Sequence, residues 1–156
     1  MFEGLKTIES LMNEHFGLRG HMEVIRELLK EWDKMLESRD SILGNQESLR
    51  SITGKRRSLQ QAIGYLEDGL KFHHLHEYNI LPSLVGDLLW KAITREHDEM
   101  MERLDKIDSL LINTGIEMFL EKGNEIIQSI NDLVSFCIFH SVREDGILYF
   151  LREAPL

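Results

Sequence analysis

The sequence predicts an all-α fold, an antiparallel up-down-up-down four-helix bundle, and three observations carry that prediction. Apolar residues recur at alternating steps of three and four along four long segments, the spacing of one buried helix face. Prolines stand only at positions 82 and 155, so long helices are permitted elsewhere. The segments are joined by short stretches of loop chemistry, as antiparallel neighbours require. No strand-like alternation, internal repeat or low-complexity tract competes. The 156 residues are expected to form one domain, 1–156, large enough to bury a proper core.

The first segment reads Ile8, Leu11, His15, Leu18, Met22, Ile25, Leu29, Trp32 and Leu36, and ends near Arg39 where Asp40, Ser41, Gly44 and Asn45 follow. The second reads Ile52, Leu59, Ile63, Leu66, Leu70, His73, Glu77 and Ile80 and stops before Pro82. Glycines 54, 64 and 69 weaken it locally, a cost that tertiary packing overrides. The third reads Leu89, Ile93, His97, Met100, Leu104, Ile107 and Leu111, closing at Asn113-Thr114-Gly115. The fourth reads Ile126, Ile130, Leu133, Cys137, His140, Glu144, Ile147 and Leu151.

Each apolar seam carries one histidine, and chain order predicts their heights. His15 lies about 23 residues before the end of the first helix and His73 about 24 after the start of the second, so at roughly 1.5 Å per residue they share a level. His73 and His97 flank the connection around residues 81–88 at similar distances. A tight third turn would misplace His140 by roughly two helical turns. Residues 112–124 are therefore expected not to run straight into the fourth helix. Gly123 is the natural break, with Met118 to Lys122 a short separate turn or overhang.

Composition narrows the function classes. The formal charge of −9, from 27 acidic and 18 basic residues spread along the chain, favours solubility and gives no basic face for nucleic acid. No stretch approaches the ~20 apolar residues of a membrane span. Neither a membrane nor a nucleic-acid partner is expected. The opening Met-Phe-Glu-Gly-Leu-Lys lacks the pattern of an export signal, and Cys137 has no disulfide partner, so a cytoplasmic location is expected.

Burying six ionisable side chains on the seams is costly unless a metal compensates for the lost hydration. His15, His73, Glu77, His97, His140 and Glu144 are the candidate ligands. Imidazole and carboxylate suit iron, manganese and zinc. A glutamate four residues after a histidine, as in His73/Glu77 and His140/Glu144, lies one turn along the same face, and its two oxygens can bridge two metals. His15 and His73 are assigned to one ion, His97 and His140 to the other. Asp145 is also within reach, but Glu144 continues the seam and Asp145 leaves it.

Four motifs in order resemble the hemerythrin-like (HHE) cation-binding domain family over residues 5–152: Leu11-Met12-Asn13-Glu14-His15, His73 to Pro82 with Glu77 inside it, Glu96-His97, and His140-Ser141-Val142-Arg143-Glu144-Asp145-Gly146-Ile147-Leu148-Tyr149. The resemblance implies a hemerythrin-like bundle holding two non-haem iron ions with an oxo or hydroxo bridge. It also implies binding or sensing of dioxygen, nitric oxide or iron itself, and a homodimer is compatible with it. An oxidase or peroxidase-like enzyme, or iron storage or repair, is the alternative on the same bundle. Binding or sensing is favoured over enzyme activity. The chain departs from the oxygen carriers at Met101, where they have a histidine one turn after the third-helix ligand. They also place an aspartate five residues after the last histidine, where this chain has Asp145 following Glu144.

Bland roles are expected for the remaining notable residues. His21, His74 and His76 fall off the seams and read as surface residues, with His74 the first to exchange with His73 if the helix rotates. Cys137, Met12, Met22, Met100 and Met101 read as core filler, with Met101 also a wall of a ligand pocket. Trp32 reads as packing and Trp90 as a lid. The Lys55-Arg56-Arg57 cluster reads as a solvated face.

Overall fold

A computed structural model describes residues 2–154; Met1, Pro155 and Leu156 of the expected 1–156 domain lie outside the described residues. Four long helices dominate: α1 (Phe2–Leu36), α3 (Gln46–Ile80), α5 (Asp87–Asn113) and α7 (Gly123–Glu153). Three short ones join them: α2 (Arg39–Leu43), α4 (Pro82–Val85) and α6 (Ile116–Glu121). Helix α1 packs on α3 and α7, and α5 packs on the same two, so each long helix lies beside its neighbours in sequence and α7 closes the ring onto α1. This is the expected all-α bundle. No described helix is long and apolar enough to cross a membrane.

The joints follow from local chemistry. Asn45 caps α3, its side-chain oxygen accepting from the backbone N–H groups of Glu47 and Ser48. Pro82 starts α4, and Gly86, at φ 77, makes the left-handed turn into α5 that a side chain would strain. The expected interruption between the third and fourth seams is α6, which folds Phe119 and Leu120 into the core before α7 starts at Gly123. A Cβ at Gly123 would stand 2.6 Å from Leu36 Cδ2, so any larger residue there would push the Leu36 side chain out of its place at the end of α1. One member of the basic cluster departs from the expected solvated face, while Arg57 is exposed as expected. Arg56 donates to the carbonyl of Leu111, joined there by Gln60 at 3.1 Å, and its guanidinium lies 5.5 Å from the Phe119 ring centroid. It thus satisfies a free carbonyl at the α5 C-terminus.

The apolar core falls into two clusters. The larger runs from Leu18 down α1 and includes Leu70, Met100, Leu104 and Cys137, while the smaller gathers Ile8, Leu11, Leu81, Ile93 and Leu148 at the other end. Between them every long helix contributes a histidine. The buried Cys137 thiol, pushed up to about 12 by desolvation, behaves as a small hydrophobe of the larger cluster.

Away from this layer, Asp108 on α5 faces Glu67 on α3, and Lys71 lies one turn beyond Glu67. Burial and the Glu67 carboxylate raise the Asp108 carboxyl to about 6. An acid held above its unfolded value binds protons more tightly when folded, so it weakens the fold above pH 6 and recovers as pH falls toward the ordinary value of 3.8. Asp108→Asn keeps a donor for Glu67 and removes the charge. We expect it to raise the melting temperature by about 1–2 °C at pH 7.5, the small size reflecting solvent screening. The gain should shrink progressively toward pH 4 in a thermal-melt series.

Candidate metal centre

The four seam histidines and the two glutamates all come together. His15, His73, Glu77, His97, His140 and Glu144 are each no more than 6 % exposed, in a layer with apolar residues above and below. Nε2 of all four rings faces the middle. His15 Nε2 is 2.9 Å from Glu144 Oε1 and 3.5 Å from Glu77 Oε1. His73 Nε2 is 2.6 Å from Glu77 Oε1 and 3.7 Å from Glu144 Oε1. On the other side, His97 Nε2 is 3.0 Å from Glu77 Oε2, and His140 Nε2 is 2.8 Å from Glu144 Oε2. The His97 and His140 Nε2 atoms are 3.2 Å apart. Each carboxylate thus turns Oε1 toward the His15/His73 pair and Oε2 toward the His97/His140 pair.

These contacts are short but not aligned as hydrogen bonds. His15 Nε2, His73 Nε2 and all four oxygens of Glu77 and Glu144 are enclosed and have no hydrogen-bond partner. Protein interiors rarely leave so many polar atoms unsatisfied in one place. Lone pairs that converge on a common point while failing to pair with one another fit a cation between them. Two groups of donor atoms lie within 4.8 Å of one another: His15, His73, Glu77 and Glu144, and His97, His140 and Glu144. Nitrogen and carboxylate oxygen are suitable donors for iron, manganese or zinc.

The outer faces of the rings explain how the inner ones are held. His15 Nδ1 lies 2.6 Å from Asp145 Oδ1, and Arg19 donates to the other Asp145 oxygen at 2.8 Å. His73 Nδ1 lies 2.6 Å from Glu14 Oε2, whose second oxygen meets His76 Nδ1. His140 Nδ1 meets Glu96, which also receives Arg143. An acceptor at Nδ1 fixes ring orientation and makes Nε2 a better donor to metal. Asp145 therefore sits outside the cluster, bracing His15, while the Glu144 carboxylate points inward.

Electrostatics follow from this crowding. Burial works against charge on His15, but Asp145, Glu144 and Glu77 outweigh it and raise the ring to about 11. His73 rises to about 9 against burial through Glu144 and Glu77, and His97 is raised by the same two carboxylates. Glu77 and Glu144 are held below the usual carboxylate range, because the surrounding imidazoles overcome burial. Protons and metal cations compete for the same nitrogens.

The sequence reading missed Glu14, Glu96 and Asp145 as bracing residues. The signal was present, since each adjoins a seam residue. A neighbour one position along a helix points about 100° away. It therefore faces the adjoining helix: Glu14 of α1 serves α3, Glu96 of α5 serves α7, and Asp145 of α7 serves α1. His21 is exposed as expected, but His76 is half-buried on Glu14 and His74 stacks on His97. The expectation that both are surface residues is corrected, because α3 turns them toward its neighbours rather than toward water.

Two crevices approach the layer. One lies between α5 and α7 and is lined by Leu89, Ile93, Glu96, His140, Arg143 and Glu144. The other is bordered by His74, Tyr78, Trp90, His97 and Met101. Trp90 lies edge-on to both Tyr78 and His97, with ring centroids 5.3 and 6.4 Å away. Tyr65 and Tyr149 are exposed, the first beside His21 and the second under Arg152.

A helical bundle with a buried histidine–carboxylate layer defines a cation-binding protein. The family model of the hemerythrin HHE cation binding domain matches residues 6–150, and the chain belongs to that family. No curated protein and no solved structure matches it.

Proposed function

We propose that the domain holds two non-haem iron ions, one facing His15 and His73, the other facing His97 and His140, with Glu77 and Glu144 bridging them. The division of each carboxylate's two oxygens between the two imidazole pairs is the observation that carries this reading. Two ions in this layer would compensate the unpaired atoms and restore local charge balance. When bound, ferrous iron supplies redox chemistry and an attachment point for dioxygen or nitric oxide. The chain's own residues do the rest. Glu14, Glu96 and Asp145 hold the rings in register, and the apolar clusters above and below limit water.

Binding or sensing of a diatomic ligand is the function this arrangement supports best. The crevice bordered by Trp90 and Met101 gives a small molecule an approach to the His97 side of the layer. Protein produced in iron-rich medium should carry two iron atoms per chain by elemental analysis and show the near-ultraviolet bands of a diferric pair. Uptake by the metal-free protein should release protons, and apparent affinity should fall as pH falls, because protonated His15 and His73 must first be cleared. One iron per chain, or none, would sink the dinuclear reading.

A further inference from the structure

Three of the four inward-facing imidazoles are braced by an acid from an adjoining helix. The remaining place in this ring belongs to α3 facing α5, and the residue next to His73 there is His74. No carboxylate occupies it. The His74 ring lies flat on His97, with centroids 3.8 Å and planes 10° apart. Its Nε2 is enclosed by protein and has no hydrogen-bond partner. An enclosed imidazole nitrogen without a partner is a costly thing to keep unless it meets one in the working protein.

We propose that His74 is a further metal ligand, donating Nε2 to the ion that faces His97 and His140. The proposal rests on the dinuclear reading above and deepens it. The mutually close donors number four residues on the His15 side and three on the His97 side, where Glu77 Oε2 approaches His97 Nε2 at 3.0 Å without joining the group. One turn after His97, where a further donor on α5 would stand, is Met101, whose thioether is a poor match for a metal held by imidazole and carboxylate. His74 and Met101 border the same crevice beside His97, so His74 approaches this less closely gathered side from the opposite helix. Its Nε2 stands outside the two groups of mutually close donors, so ligation requires the ring to rotate inward off its stack. A ligand that can swing in and out would also let the ion exchange His74 for an incoming small molecule.

Cobalt(II) titration of the full chain tests this, because cobalt's visible absorption reports its donors independently of any activity. The wild type should take up two ions. His74→Phe keeps a stacked ring without nitrogen, and it should keep one tight ion while the second binds about tenfold more weakly or worse, with altered visible bands. His74→Gln, tested beside it, guards against a packing defect peculiar to phenylalanine, and a normal helical circular-dichroism spectrum shows each variant folded. Two ions bound by both variants with wild-type affinity and spectrum would overturn the proposal. So would an unchanged cobalt spectrum accompanied by weakened azide binding, which would make His74 a hydrogen-bond partner of the exogenous ligand instead. A wild type that takes up fewer than two ions would defeat the dinuclear reading itself.

Discussion

Glu144→Ala should cost the protein both of its metal ions, not one. In the proposed centre Glu144 Oε2 meets His140 and its Oε1 meets His15, so the substitution removes an oxygen from each side at once. Glu77→Ala should do the same, since its oxygens face His73 and His97. His73→Ala should largely abolish metal as well, through loss of a nitrogen and of the ring that Glu14 orients. Asp145→Ala makes a useful contrast. It removes only a brace, and a brace of this kind is worth about 10–100-fold in metal affinity. Elemental analysis after dialysis separates the two classes: near-zero metal for the bridging glutamates, partial occupancy for Asp145. If Glu144→Ala retained one ion at full occupancy, the bridging role would be wrong even though the layer is real.

The same centre should govern thermal stability. An ion that binds only the folded chain at about a thousand times its dissociation constant adds about 4 kcal/mol. For a chain of this length each kcal/mol is about 2–4 °C in melting temperature. Chelation should therefore lower the wild-type melt by about 8–16 °C and leave Glu144→Ala nearly unmoved. Equal melts of wild-type protein with and without chelator would argue for a bundle whose histidines and glutamates simply pair with one another.

How far the sequence revealed this arrangement depended on which physical signal each residue carried. The long helices and the six inward residues were legible because seam periodicity is a property of one helix at a time. His15 and Glu144 fall on the same stripes as Leu18 and Ile147, and chain order supplied the level. The break before α7 was legible too, from the mismatch in height between His97 and His140. What stayed hidden needs two helices at once. Glu14 and Glu96 are off-seam positions that periodicity labels solvent-facing, and only the rotation of each helix against its neighbour shows that they reach the next ring. His74 was hidden for the same reason: a residue about 100° off the seam lies at a helix–helix boundary, where a single-helix reading cannot tell groove from water. Arg56 reads as one of three adjacent cations until α5 is seen to end beside it.

Trp32→Ala should be the most destabilising single core change, and it should leave the metal layer intact. The indole is 1 % exposed and packs edge-on against Phe119, with centroids 4.6 Å apart and planes at 68°. It fills the space where α6 folds back over the far end of the bundle, and Arg56 lies over the same Phe119. Truncation to alanine opens a cavity there and should cost about 3–5 kcal/mol. That corresponds to a fall of about 10 °C in melting temperature. Trp32→Phe should cost clearly less, because it refills most of the volume and removes an indole N–H that has no acceptor here. His15 lies more than four helical turns away along α1, within the polar layer rather than the larger cluster. Both variants should therefore bind metal with wild-type stoichiometry, and the stability lost on chelation should add to the cost of the core substitution, as distant sites do. Loss of metal from a folded Trp32→Ala protein would mean that the layer depends on packing at the far end, and that the bundle is one mechanical unit rather than a metal layer set between two separable cores.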